Sequence, residues 1–233
     1  YLILNYFINI FFCRIFKKKQ FLINKAIVLH DRNSVGFFHW VNDTLPKLIL
    51  SKKFINKNYK IIIPKNLNNK FHKSFLKKYK KNIIIFNKKN CFYKINDAIL
   101  IPELSPSGNP RPKSLFDIRK EFKYLSLKKN TCNDKIYISR KFAKRRFIIN
   151  ESELIAFLKK ENFKIYYFDK LTLEKQINLI SSSRLVLSIH GAALSNIIWM
   201  KKNSSILEFK PDNDIDTNCF FSYSSILDLN YYY

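Results

Sequence analysis

The chain contains the run Arg184-Leu185-Val186-Leu187-Ser188-Ile189-His190-Gly191-Ala192-Ala193-Leu194-Ser195-Asn196, in which one apolar segment ends in a turn and a second begins at once. Arg184 to Ile189 predicts a buried strand, and Ala193 to Met200 predicts a helix. Gly191 is one of three glycines in 233 residues. It stands between the strand and the helix, where a missing side chain lets the backbone approach a ligand. This order indicates a parallel α/β fold.

The same alternation of strands and helices continues on both sides of this run. Upstream, Lys135 to Ser139 and Phe163 to Phe168 predict strands, and Asn150 and Thr172 are predicted to cap the helices that follow them. Downstream, Ser205 to Phe209 predicts a fourth strand. Four strands joined by three crossover helices make half of a Rossmann-like domain, which binds its ligands at the carboxyl ends of its strands.

The first half of the chain predicts a second α/β lobe. Short apolar runs separated by Lys-rich helical stretches predict buried strands at Lys60 to Ile63, Ile83 to Phe86 and Ala98 to Ile101. The segment Pro102 to Pro112 contains several prolines and a glycine, so it cannot continue a helix or a central strand. We therefore predict two lobes, at residues 1–112 and 113–233.

The composition is that of a folded and strongly basic protein. Hydrophobic residues make up 47% of the chain and the formal net charge is +26, so the chain can bury a core and attract phosphate groups or anionic membranes. Abundant Lys and Asn with a single Met are equally typical of an AT-rich genome. A basic nucleic-acid-binding protein is an alternative, but no RNP, KH or zinc-finger pattern is present and no specific nucleic acid is expected as a partner.

The cysteines and the first residues bear on the cellular setting. The four cysteines form no C-x-x-C pair, so neither a zinc site nor a disulfide framework is indicated, and a reduced, cytoplasmic setting is expected. The apolar stretch Tyr1 to Phe16 is interrupted by Asn5, Asn9 and Arg14 and is shorter than the roughly 20 residues of a membrane-spanning helix, so we expect core strands there. The missing initial Met indicates a partial sequence.

Two groups at the predicted carboxyl ends of the strands suit an anionic ligand. The turn after Ile189 would present the N–H groups of Ala192 and Ala193 and a helix dipole to an anion, and His190 can donate to the same phosphate. Arg140 and Arg145 follow the first strand of this lobe, and the planar guanidinium of Arg binds two phosphate oxygens at once. A structural turn with a packed histidine, and a solvated charge run, are the alternative interpretations.

Several segments together resemble the consecutive motifs of glycosyltransferase family 61. In chain order they are Phe38 to Leu48, which contains a His-Trp pair, then Arg140 to Glu151, Leu171 to Ile177, His190 to Asn196 and Ile206 to Pro211. The resemblance implies a GT-B architecture of two Rossmann-like lobes, with an N-terminal acceptor-side lobe that is incomplete here and donor binding mainly in the second lobe.

The resemblance also implies an activity and its ligands. The expected reaction is an inverting transfer from a nucleotide-sugar donor, typically a UDP-sugar, to a glycan or glycolipid acceptor in polysaccharide or capsule biosynthesis. The donor is a co-substrate, and neither a metal nor another cofactor is expected. A peripheral contact with an anionic membrane at its inner face is a further expected partner. Donor-binding roles are implied for Arg140, Arg145, His190, Gly191, Ala192, Ala193 and Asn196, and Glu208 would bind the ribose.

His39 and Asp43 are the candidate catalytic residues. They are four residues apart, so on a helix they share a face. An inverting transfer needs a base that takes the proton of the acceptor hydroxyl, and a carboxylate or an imidazole can do this. We predict that Asp43 is the base and that His39 orients it or shares the proton. The alternative is structural, with Asp43 capping the chain near Pro46 and His39 packing on Trp40.

Two other interpretations of the sequence compete with this activity. Asp212, Asp214 and Asp216 form a run that resembles a metal-binding motif, but Thr217 and Tyr223 stand where a calcium loop needs Gly and Glu. We predict a polar surface loop there. A non-catalytic relative that keeps the fold is the second alternative, and the presence of Arg140, His190 and Glu208 argues against it.

Overall fold

The structure is a computed structural model that describes residues 19–86, 91–126, 133–143, 145–211 and 217–233. The strands expected within Tyr1 to Phe16 lie outside these residues, as does the polar loop expected at Asp212, Asp214 and Asp216. The described residues form two parallel β-sheets with helices packed against them. The prediction of an α/β protein with two Rossmann-like lobes is confirmed.

The first sheet is formed by β1 (Lys19–Val28), β2 (Lys60–Pro64), β3 (Ile83–Phe86) and β4 (Cys91–Leu100). All pairs are parallel, and the spatial order is β3-β2-β1-β4. The helices α1 (Leu45–Ile55) and α2 (Lys70–Leu76) join these strands, and α3 (Pro112–Glu121) follows the sheet and packs on α1. Ile27 and Ile61 are fully buried, as expected for central strands of a parallel sheet that is covered on both faces.

The second sheet contains β5 (Asn133–Ile138), β6 (Lys164–Tyr166), β7 (Ser183–Ile189), β8 (Ser205–Phe209) and β9 (Asn230–Tyr232). All pairs are again parallel, in the order β6-β5-β7-β8-β9. The connections are α4 (Glu151–Lys160), α5 (Leu173–Ser181), a 3-10 helix at Ala192–Trp199, and α6 (Cys219–Ile226). Amphipathic α4 and α5 bury Leu158, Ile177 and Ile180 against the sheet.

Three local predictions differ from the structure in detail. The helix predicted at Ala193 to Met200 is a 3-10 helix at Ala192–Trp199, which connects β7 to β8. The strand predicted at Phe163 to Phe168 is limited to β6, since a 3-10 turn begins at Phe168. The Thr172 hydroxyl caps α5 as predicted, because its oxygen accepts from the backbone N–H of Lys175 at 3.3 Å. The Asn150 side chain, in contrast, accepts from no backbone N–H of α4.

The two sheets share one continuous core, to which α3 and α6 both contribute. Arg119 of α3 donates to the carbonyls of Ile198 and Met200, so a helix that packs on α1 of the first half also holds the end of the 3-10 helix of the second. The lobe boundary predicted at residue 112 stays a prediction. Helix α3 follows this boundary in the sequence, but it packs on α1, which precedes the boundary. Within the described ranges, every helix is too short or too polar to cross a membrane.

Candidate active site

The carboxyl ends of β5 and β7 meet where the chain changes direction across the second sheet. In the sheet, β5 and β7 are neighbours, with β6 beyond β5 and β8 beyond β7. The connection that leaves β5 runs outward to β6, and the connection that leaves β7 runs outward to β8, in the opposite direction. Ligands of open α/β sheets bind in the crevice outside such a pair of strands. Arg140 follows β5 and His190 follows β7, so the structure brings the two predicted donor-binding groups together.

Arg140 lies directly against the backbone of Gly191. A Cβ atom at position 191 would lie 1.8 Å from Nη1 of Arg140, so any side chain there would displace the guanidinium. The φ of Gly191 is 167°, an extended value that every residue adopts, and the glycine is therefore needed for this close approach. Nε and Nη2 of Arg140 donate to the carbonyls of Arg146 and Arg145 at 3.2 and 3.1 Å, which fixes the orientation of the guanidinium.

The Arg140 guanidinium has no carboxylate partner in the part of the chain that the structure describes. It is half-buried, and burial together with the nearby charge of Arg146 lowers its pKa from the ordinary value. The N–H groups of Ala192 and Ala193, at the start of the 3-10 helix, bond no described backbone carbonyl. Because a partly buried cation without a counter-ion is unfavourable, this group of donors favours an anionic ligand.

His190 and Glu208 bind each other beside this anion site. Nδ1 of His190 lies 2.5 Å from Oε1 of Glu208, and the Tyr231 hydroxyl donates to Oε2 at 2.5 Å. Glu208 is 1% exposed, so both of its oxygens are used inside the protein. The ribose-binding role of Glu208 stays a prediction. A ribose hydroxyl would have to replace His190 or Tyr231 as the hydrogen-bond partner of one carboxylate oxygen. As observed, the carboxylate orients His190, whose Nε2 bonds none of the described residues.

A cavity of about 650 Å³ opens beside the same strand ends. Its walls are mainly apolar, with Ile189 and Phe209 at the ends of β7 and β8, Phe157 on α4, and Phe147 in the loop after Arg140. The side chains of Phe147 and Phe157 are 63% and 59% exposed. A concave, mostly apolar site of this volume has the size of a ligand-binding pocket for a molecule such as a nucleoside.

Two predicted donor-binding residues have other surroundings than expected. Asn196 is completely buried and its amide donates to the Gln176 side chain and the Ala193 carbonyl, both at 3.1 Å. It therefore holds the 3-10 helix against α5, and its donor-binding role stays a prediction. Arg145 is exposed, and its backbone carbonyl supports Arg140. Its side chain remains a predicted phosphate contact.

His39 and Asp43 lie on one helical segment that precedes α1. An α-helical turn at Phe37–His39 passes into a π-helical turn at Trp40–Thr44, which continues as α1. Nδ1 of His39 lies 2.8 Å from Oδ2 of Asp43, as the four-residue spacing predicts. Single π-helical turns within α-helices occur often at functional sites.

The Asp43 carboxylate accepts hydrogen bonds from three neighbouring side chains. Besides His39, the Asn42 side-chain amide donates to Oδ1, and the Ser107 hydroxyl donates to Oδ2 at 3.2 Å. The side chain of Asp43 is 11% exposed, whereas that of His39 is 36% exposed and its Nε2 bonds none of the described residues. Asp43 is thus placed to orient His39, and the atom that is free to meet a substrate belongs to the imidazole.

The helical turn Phe37–His39 lies directly against the 3-10 helix that begins at Ala192. Phe220 of α6 contacts both sides of this region, with its ring 5.9 Å from the ring of Phe38 and 5.4 Å from the ring of His190. The helical turn that carries His39 therefore lies next to the segment that carries the anion site.

The family model of glycosyltransferase 61 matches residues 37–207. This match begins at the His39 helix, ends in β8 and covers most of the chain. The chain belongs to glycosyltransferase family 61. This family 61 protein is therefore a glycosyltransferase, and its matched region contains Arg140, Gly191, His39 and Asp43. A search of curated proteins gave no match.

Several polar partners in this family 61 glycosyltransferase were not predicted from the sequence. Asn42 and Ser107 contact Asp43, and Tyr231 contacts Glu208. Asn42 stands beside Asp43 in the same motif, so proximity in the sequence was a usable signal. Ser107 and Tyr231 carry no such signal, because only the folded chain brings them to their partners. Among the described residues, no three His, Cys, Asp or Glu side chains converge as metal ligands.

Proposed function

We propose that this protein is an inverting glycosyltransferase that moves a sugar from a UDP-sugar or a related nucleotide-diphosphate donor to a hydroxyl group of a glycan or glycolipid. The observation that carries the proposal is the packing of Arg140 on Gly191, where the half-buried guanidinium has no carboxylate partner among the described residues. This cation lies beside backbone N–H groups that bond no described carbonyl, and such a combination suits the two phosphates of a nucleotide diphosphate.

The donor would bind with its parts in different regions of the crevice. Its diphosphate would bind Arg140, the N–H groups of Ala192 and Ala193, and Nε2 of His190. The apolar cavity lined by Phe147 and Phe157 has room for the nucleoside. Arg140 and the N–H groups then stabilise the negative charge that develops on the departing diphosphate oxygen, a form of electrostatic stabilisation that contributes strongly to catalysis.

The acceptor side supports a different division of roles from the one predicted from the sequence. We propose His39 as the general base and Asp43 as the carboxylate that orients it. Nε2 of His39 takes the proton of the acceptor hydroxyl as its oxygen attacks C1 of the sugar. The bond from C1 to the diphosphate oxygen breaks on the opposite side, which inverts the configuration. Asp43 accepts from three neighbouring side chains, so both of its oxygens are engaged, whereas Nε2 of His39 has no partner among the described residues.

The expected setting of this transfer follows from the family resemblance and from the charge of the chain. We propose a polysaccharide or capsule intermediate as the acceptor, met in the cytoplasm or at the inner face of an anionic membrane. The formal net charge of +26 supports such a peripheral contact, since basic surfaces are attracted to anionic lipids. Release of nucleotide diphosphate during incubation with a panel of nucleotide sugars and glycan acceptors tests the activity directly.

Activity is expected to survive removal of divalent metal ions. Arg140 and the helix N–H groups already supply positive charge at the proposed diphosphate site, so a metal ion is not needed as a Lewis acid. Nucleotide release should therefore change less than about twofold in excess EDTA, with a metal-dependent glycosyltransferase as the positive control for chelation. Complete loss of activity that added Mg²⁺ or Mn²⁺ restores would contradict this mechanism.

A further inference from the structure

Helix α6 packs against both sides of the crevice. Cys219 at its start contacts the loop that carries Ser107, since a Cβ atom at Gly108 would lie 3.2 Å from Cys219 Cβ. Phe220 lies between Phe38 and His190. This helix lies beyond residue 207, where the family match ends.

Tyr223 of α6 reaches from the second half of the chain to the π-helical turn that carries Asp43. Its side chain is completely buried, and its hydroxyl donates to Oδ1 of Asn42 at 3.1 Å. The amide of Asn42 in turn donates to Oδ1 of Asp43. Tyr223, Asn42, Asp43 and His39 therefore form one chain of hydrogen bonds that ends at the imidazole.

The chemistry of the amide explains why the hydroxyl matters. An Asn side chain has one acceptor oxygen and one donor nitrogen, and only the nitrogen can bond a carboxylate. Because Tyr223 donates to the oxygen, the amide is held with its nitrogen toward Asp43. Burial, together with the nearby Cys219 and Asp43, raises the pKa of Tyr223 well above its ordinary value, so the hydroxyl keeps its proton and remains a donor. Without it, the amide could turn its oxygen toward the carboxylate and repel it.

We infer that Tyr223 is a positioning residue for the transfer reaction, which acts through Asn42 to hold Asp43 and His39 in their working geometry. The inference rests on the proposed role of His39 as the base. A residue of α6, in the second half of the chain, would then control the geometry of His39 and Asp43, which lie in the first half. The binding of the donor nucleotide does not involve this chain of bonds.

Tyr223→Phe tests the inference, because it removes one hydroxyl and keeps the ring. Misplacement of a catalytic group by a small distance can cost up to about 10²-fold in rate, and we expect kcat to fall about tenfold while the Kd for UDP changes less than twofold. Tyr79→Phe is the matched control. Tyr79 is also buried and donates to a carboxylate, that of Glu121, at 2.7 Å, and neither residue bonds Asn42, Asp43 or His39. It should leave kcat unchanged.

A double-mutant cycle with Asn42→Ala separates positioning from general damage. If Tyr223 acts through Asn42, kcat of the double variant should equal that of Asn42→Ala alone. Additive losses, an unchanged kcat in Tyr223→Phe, or an equal loss in Tyr79→Phe would overturn the inference. So would failure of both Tyr223→Phe and Asn42→Ala to fold, since the bond would then be structural. Full turnover in His39→Gln would instead reject the proposed base, and it is measured separately.

Discussion

His39→Gln should lower kcat by about 10²–10⁴-fold while the affinity for UDP stays within twofold of the unchanged protein. The loss is the typical contribution of a positioned general base, and Gln keeps a polar side chain of similar size without its basicity. Donor affinity should persist because the diphosphate site is formed by Arg140 and the turn at Gly191. Sugar transfer and UDP binding should be measured on the same preparation, so that a folded protein is assured.

Asp43→Asn separates the two assignments of the base. If His39 is the base and Asp43 orients it, Asn at position 43 should reduce kcat by less than His39→Gln does, since orienting carboxylates contribute less than the base itself. The double variant should be no slower than His39→Gln alone. A larger loss in Asp43→Asn than in His39→Gln would restore the carboxylate as the base, and near-normal turnover in both variants would exclude the pair from the reaction.

Arg140→Ala should weaken UDP binding by about 10–100-fold without unfolding the protein. Hydrogen bonds to charged groups contribute about 1.5–3 kcal/mol, and each 1.4 kcal/mol is a factor of ten in affinity. Arg184→Ala is the matched control, because Arg184 lies at the opposite end of β7 and is 78% exposed in its pair with Asp134. Calorimetric titration of UDP should show a loss in the first variant only.

Gly191→Ala provides a second test of the same site without removing the cation. The backbone of Gly191 suits alanine, but the added Cβ would displace the end of the Arg140 side chain. We therefore expect a loss of UDP affinity that approaches that of Arg140→Ala, with an unchanged melting temperature. Unchanged affinity in both folded variants would remove Arg140 from the donor site.

The second sheet was predictable from the sequence because its signals are local. Each strand is a short apolar run, each helix has its own apolar face, and the turn at Gly191 carries a rare glycine at a strand end. Topology then places Arg140 and His190 at one edge without further information. The spacing of His39 and Asp43 likewise predicts their contact, since one helical turn separates them.

The details that change the chemistry depend on contacts between distant segments. Asn196 belongs to a binding motif, yet its burial follows from the packing of the 3-10 helix on α5. Glu208 is engaged by Tyr231, which lies on β9. The donors around Asp43 come from the 102–111 loop as well as from its own helix. No local pattern in the sequence predicts such pairings. The contacts of Asp43 are the reason that we propose His39, and not Asp43, as the base.

The proposed mechanism depends most on a nucleotide diphosphate site formed by Arg140 and the turn at Gly191. Thermal unfolding of the protein with UDP, UMP and uridine, at matched concentrations and in the presence of EDTA, tests this site most directly. A ligand at 100 times its Kd stabilises the folded state by about 2.7 kcal/mol. We predict clear stabilisation by UDP, less by UMP and least by uridine, with the UDP effect lost in Arg140→Ala. Equal stabilisation by UDP and uridine, or none by UDP, would contradict the account.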